Sequence, residues 1–162
     1  MFTEVGLGML ENERQVTRIL TRYCELLDTG QVDRIATEVY TAEAVADYHF
    51  DVLTGRRAIN DYLLVNMGRF KETAHALSNV SVKACDGQLA EVSSMMTAWH
   101  WLKKSNAPDA EAPINFGQIV VTADRLERTS EGWRITERRA RALGPSFVLS
   151  AGPVVLPTKV EG

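Results

Sequence analysis

The 162-residue chain is poor in cysteine and histidine, with two and three respectively. Two cysteines, Cys24 and Cys85, cannot make a disulfide framework, and no Cys/His spacing suits a metal site. Basic charge is not in excess: 18 Lys and Arg stand against 21 Asp and Glu, with both signs interspersed. That excludes the basic stripe of a nucleic-acid surface. No apolar run approaches the ~18 residues of a membrane span. The opening MFTEVGLGMLENE is not basic and carries no apolar h-region, so no signal peptide is expected, and a cytoplasmic location is. There is neither a Gly-rich phosphate loop nor a Gly-x-Ser-x-Gly elbow. The apolar fraction, 45%, suits a chain with a real core, and the length suits one domain over residues 1–162.

What the chain does have is a clear alternation of periods. Residues 1–9 read as a loose leader. From about Met9 to Leu27 the positions Leu10, Val16, Ile19, Leu20, Tyr23, Leu26 and Leu27 form a helical stripe. Gly30 marks its end, which puts Asp28 at a helix C-terminus, where a carboxylate meets the negative end of the macrodipole. A short helix over Val32–Tyr40 is expected next, then a strand over residues 41–50. On that strand Ala44, Ala46, Tyr48 and Phe50 share one face, and Val45, Asp47 and His49 the other. Thr54-Gly55 opens a helix over residues 56–71, with Ile59, Leu63, Met67 and Phe70 at helical spacing.

Thr73–Trp101 reads as a β-hairpin turning at Asp86-Gly87, a pair suited to a two-residue turn with φ > 0. Cys85 then faces Gln88, His75 faces Ala98, and His100 faces Thr73. The two histidines come out on one face, as diagonal neighbours roughly 7–8 Å apart. Met96 shares that face, while Trp99 and Trp101 fall on the other, as packing or a subunit interface. Residues 103–113 are a polar loop. Residues 116–128 and 133–143 read as a further pair of strands, and residues 144–162 as a tail that could cross a pocket mouth. The Arg138, Arg139 and Arg141 group alternates across its strand and reads as a solvated edge. The order is helix, helix, strand, helix, then about four antiparallel strands. It gives an α+β fold: a curved antiparallel sheet wrapped around N-terminal helices, with a cone-shaped hollow for a ligand.

The phrases YCELLDTGQVDRIATEVYTAEAVADY (23–48), HALSNVSV (75–82), DGQLAEV (86–92) and GWRITERR (132–139) resemble, in order, the SnoaL-like group of the NTF2-like superfamily. The resemblance covers residues 12–142 and implies an α-β barrel with a cone-shaped pocket. Its members include polyketide cyclases, scytalone dehydratase, ketosteroid isomerase, limonene epoxide hydrolase and noncatalytic subunits of ring-hydroxylating dioxygenases, so the fold alone names no chemistry. Asp28, Tyr48, His75 and His100 fall where the scytalone dehydratase branch carries its aspartate, one of two tyrosines and its two histidines. That branch has a second tyrosine directly before the aspartate. Here the position is Leu27, which implies a related reaction rather than scytalone dehydration itself.

The residues support this expectation chemically. A carboxylate bonded to one imidazole nitrogen fixes the tautomer and raises the basicity of the other. Two imidazoles that titrate near neutrality suit proton shuttling. The expected catalytic set is His75, Asp28, His100 and Tyr48, with Tyr48 donating to an enolate. Asp28 would orient a histidine, and which one stays open. Tyr23, Phe50 and Met96 are the candidate substrate-binding residues. The expected function is cofactor-independent dehydration or cyclisation of a carbonyl-bearing, polyketide-like aromatic substrate, with no metal and a homodimeric assembly. A ketosteroid-isomerase-like isomerase and a noncatalytic binding or assembly module of the same fold remain the alternatives.

Overall fold

The computed structural model describes residues 4–104 and 114–149. The leader's first three residues, most of the polar loop and residues 150–162 of the tail lie outside the described residues. The first helix, α1 (Glu4–Asp28), takes in most of the expected leader and starts about five residues early. Its inner stripe, Val16, Leu20, Tyr23, Cys24 and Leu27, is buried, at the spacing that one helical face requires. Glu11 and Arg14 pair on the outer face. The helix is closed by a Schellman turn: Gly30 (φ +70°) and Gln31 donate their N–H groups to Leu27 and Leu26, as glycine at this position allows.

The second expected helix is shorter. A 3₁₀ turn over Val32–Arg34 runs into α2 (Ile35–Glu38), and Tyr40 already belongs to β1 (Tyr40–Asp47). That strand stops at Asp47, three residues before the expected end. A short β2 (Val52–Thr54), absent from the sequence reading, returns antiparallel to β1. Between them His49 takes φ +75°, so the expected strand parity does not extend to His49 and Phe50. Helix α3 (Arg56–Met67) follows, and buries Ile59 and Leu63.

Four long strands complete the sheet: β3 (Phe70–Cys85), β4 (Leu89–Leu102), β5 (Phe116–Thr129) and β6 (Gly132–Ala142). They pair antiparallel in sequence order. A two-residue β7 (Phe147–Val148) adds to β5 at Phe116 and Gly117. The strand order is β2-β1-β6-β5-β4-β3, with β1 parallel to β6. The α+β class and the curved sheet against N-terminal helices are as expected. The sheet is mixed rather than wholly antiparallel, and it does not close into a barrel.

The hairpin reaches the expected register at its histidines by an unexpected route. Cys85 pairs with Ala90, not Gln88, because the Asp86 carboxylate accepts the N–H groups of Gln88 and Leu89 and draws out a longer turn. That displaces the pairing by two residues. Two bulges on β3, one at Ser78–Ser81 with Asn79 at φ +48° and one at Val82–Ala84, each absorb one extra residue. Beyond them His75 faces Ala98 and Thr73 faces His100. The core fills the space between α1, α2, α3 and the inner sheet face, where Ala44, Ala46, Val92, Leu126, Trp133 and Ile135 are buried.

Candidate functional site

Asp28 stands at the last residue of α1, a poor place for a carboxylate by itself. Strand β3 supplies three donors there. Thr73 Oγ1 donates to Oδ1 at 2.9 Å, the His75 N–H to Oδ2 at 2.8 Å, and His75 Nδ1 bonds Oδ1 at 2.5 Å. Thr73 and His75 are two residues apart on one strand, so their side chains share a face. Charge-assisted bonds of this length are stronger than neutral ones and offset the unfavourable helix end. The His75 side chain is only 3% exposed. With Nδ1 committed to Asp28, Nε2 is the nitrogen left for a substrate.

His75 and His100 meet edge to face with ring centroids 5.8 Å apart. Phe70 and Phe116 flank His100, at 4.5 and 4.8 Å. In this aromatic box His100 is buried, and its Nδ1 has no hydrogen-bond partner. Burial lowers its pKa to about 4, with the neighbouring His75 adding to the shift and Asp28 opposing it. The expectation that both imidazoles titrate near neutrality therefore fails for His100. It is neutral at pH 7, because charging it would strand an imidazolium among hydrocarbon rings.

The linkage has a definite sign. A histidine whose folded pKa lies below its unfolded value stabilises the fold at neutral pH. The unfolded chain takes up that proton first as pH falls through about 6.5. Stability should thus be lost between about pH 6.5 and 4. A His100→Phe variant, compared by urea titration across that window, is expected to show a shallower loss than the wild type.

Tyr48 closes the other side of the cavity. Its hydroxyl lies 3.1 Å from that of Tyr40 and 3.4 Å from that of Tyr23, and its ring stacks on Tyr62. Tyr23 is one helical turn before Leu27, so α1 still brings a second phenol beside Tyr48 although Leu27 offers none. Burial pushes the Tyr23 and Tyr48 phenols above their ordinary values, which keeps them protonated donors. Beneath them the Arg138 guanidinium lies 4.3 Å over the Tyr23 ring, a favourable cation–π distance. Arg138 Nε and Nη2 donate to Asp124 at 2.7 and 3.1 Å. Thr122 donates to Asp124, and Ser94 to Thr122, so the chain of buried polar groups is satisfied.

The imidazoles, the Tyr23 and Tyr48 phenols and Arg138 line one cavity of about 480 Å³. Tyr48, His75, His100, Tyr23 and Met96 all contribute to its wall, and Phe50 stands on its rim at 88% exposure. Asp28 is not on the wall; it backs His75 and faces a second cleft behind it. A separate cleft on the other face of the sheet is lined by ionic residues such as Lys83, Glu91 and Arg125 and contains no histidine. His49, assigned by alternation to the face opposite Tyr48, lines the cavity. The largest correction concerns Arg138 and Arg141. Neither belongs to a solvated edge: both line the cavity, and Arg141 pairs with Asp47. An irregularity in the β5–β6 pairing between Arg125 and Leu126 lets buried positions run Trp133, Ile135, then Arg138, Ala140. Simple alternation cannot foresee that change of parity.

Tyr40, Tyr62, Thr73 and Gln118 were also missed. Thr73 had a usable signal, since it lies two residues from His75 on the face that meets Asp28. Gln118 pairs across Ala98, itself opposite His75, so three strands carry it into the same row. Among the described residues no three His, Cys, Asp or Glu side chains converge as a metal site would require. No helix among them is long and apolar enough to cross a membrane.

Comparison with known proteins agrees with this architecture. No curated protein matches the chain. Among solved structures, a candidate scytalone dehydratase from Novosphingobium aromaticivorans is 21% identical, with a TM-score of 0.74 over 93% of this chain and 98% of that one. The hexachlorocyclohexane dehydrochlorinase LinA-type3 from Novosphingobium barchaimii is 15% identical, with a TM-score of 0.74 over 93% and 99%. A candidate NTF2-like dehydratase from Streptomyces avermitilis is 19% identical, with a TM-score of 0.70 over 83% and 98%. At such identities these likenesses establish the fold. The profile of the SnoaL-like domain matches residues 8–139, and the chain belongs to the SnoaL-like family of the NTF2-like superfamily.

Proposed function

We propose that the protein is a cofactor-independent lyase or cyclase that moves one proton through His75. The observation that carries this reading is the 2.5 Å bond between His75 Nδ1 and Asp28 at the wall of an apolar cavity. His75 Nε2 takes the proton α to a substrate carbonyl. The electron pair moves onto the carbonyl oxygen, where Tyr48, braced by Tyr23 and Tyr40, donates a hydrogen bond to the enolate. The enolate then collapses. In dehydration it expels a β-hydroxyl, which leaves as water with the proton held on Nε2. In cyclisation the enolate carbon attacks a second carbonyl, and that proton ends on the new alkoxide. His100, uncharged at neutral pH, serves as a polar wall rather than as the acid, so one imidazole both takes and returns the proton.

A cavity lined by Tyr23, Tyr48, Tyr62, Phe70 and Phe116 suits a flat aromatic, polyketide-like substrate. Two structural neighbours bear names of elimination catalysts, a dehydrochlorinase and a candidate dehydratase, in keeping with this chemistry. The test is turnover of β-hydroxy ketones of polyketide type, followed by the absorbance of the new conjugated bond. With His100 neutral and no second imidazole acting as acid, the pH profile of kcat/KM should show no descending imidazole limb. A bell with both limbs between about pH 5 and 8 would contradict the single-imidazole scheme.

A further inference from the structure

Among the described residues the cavity wall includes three arginines, Arg69, Arg138 and Arg141, and no carboxylate, in a chain where acids outnumber bases. Two of the three are neutralised from behind, Arg138 by Asp124 and Arg141 by Asp47. Arg69 is not. Its backbone N–H donates to Asn66 and its carbonyl accepts from Lys103. Among the described residues no carboxylate pairs with its guanidinium.

Its place in the turn between α3 and β3, at the end of the sheet, defines an axis. Arg69 lies beside Lys103, whereas His75 faces Ala98. Five residues of strand separate those rows, about 17 Å at the usual rise per residue. The Phe70–His100–Phe116 box lies between them. Arg69 is exposed, so it marks the solvent end of the cavity, with the His75–Asp28 pair at the inner end.

We propose that the cavity takes its substrate as a carboxylate, with the anion held by Arg69 at the mouth and the carbonyl end inward. A guanidinium fork matches a carboxylate in two parallel bonds. A positive charge at the rim of a cleft that holds no carboxylate among its described residues raises the local concentration of anions. Asp28, behind His75, repels a carboxylate that enters the wrong way round and so fixes the orientation. This rests on the proton-transfer reading only for what happens at the inner end; binding at the mouth does not need it.

The test compares naphthalene-2-carboxylate with naphthalene-2-carboxamide by calorimetric titration, since the two share shape and differ in charge. The carboxylate should bind about tenfold tighter or better at low salt, a preference that shrinks as salt screens the pair. Arg69→Gln should erase the preference. Arg57→Gln, which removes an exposed positive charge from α3 outside the cavity wall, should leave it. The proposal is overturned if the amide binds as well as the carboxylate. It is equally overturned if Arg69→Gln keeps the preference, if Arg57→Gln erases it, or if the carboxylate shows no saturable binding at millimolar concentration. Carboxylate selectivity without turnover would sink the proton-transfer scheme alone, and turnover of neutral ketones without that selectivity would sink this proposal alone.

Discussion

Asp28→Asn is expected to lower turnover of an accepted β-hydroxy ketone by about 10²–10⁴-fold while the fold persists. An asparagine oxygen can still accept the His75 N–H, so the helix end stays tied to β3. Its amide, however, donates where the carboxylate accepted. It would turn the His75 ring nitrogen Nδ1 into an acceptor and place the proton on Nε2, leaving no lone pair toward the substrate. His75→Gln should lose activity to a similar degree by removing the base outright. Both variants should keep a wild-type near-ultraviolet dichroism spectrum. An Asp28→Asn enzyme that keeps its rate would mean that the tautomer is not set by this pair. One that loses its tertiary signal would mean that Asp28 is a structural tie and no more.

Arg138→Leu should produce the largest loss of stability. The Arg138–Asp124 side chains are 4% and 0% exposed, so removing the guanidinium leaves a carboxylate buried with only Thr122 as donor. Breaking a buried pair from one side costs about 3–5 kcal/mol, or roughly 10–15 °C in Tm for a chain of this size. The double variant Arg138→Leu/Asp124→Leu should recover most of that, since paired charges and packed hydrocarbon are often near parity in such a place. If the single variant melts within a degree or two of the wild type, water reaches Asp124 and the phenols beside it. The electrostatic frame behind Tyr48 would then be weaker than its geometry implies.

The parts of the site that local spacing controls were legible in the sequence. The α1 stripe and its terminal glycine placed Asp28 at a helix end. Alternation on β3 and β4 placed His75, Met96 and His100 on one face, and all three line the cavity. What spacing could not supply was the count of irregularities. On β6 one uncompensated irregularity hid Arg138. On β3 two bulges restored a register that the turn had displaced, so the pairing of the histidines was anticipated on a turn geometry that the chain does not have. The protonation of His100 was also out of reach, because it depends on two phenylalanines brought from β3 and β5. The phenol group was illegible for a similar reason: Tyr23 is on α1, Tyr40 begins β1 and Tyr48 follows its end, and only packing brings their hydroxyls together.

The two β3 bulges between Ser78 and Ala84 also insulate one end of the hairpin from the other. Slippage at the tip is taken up before it reaches the imidazole row, much as slack in a cable is gathered before its anchor. The stretch around Asp86 is thus open to insertion, labelling or grafting without disturbing the base, whereas a single residue added between Thr73 and Ser78 would rotate His75 out of the cavity.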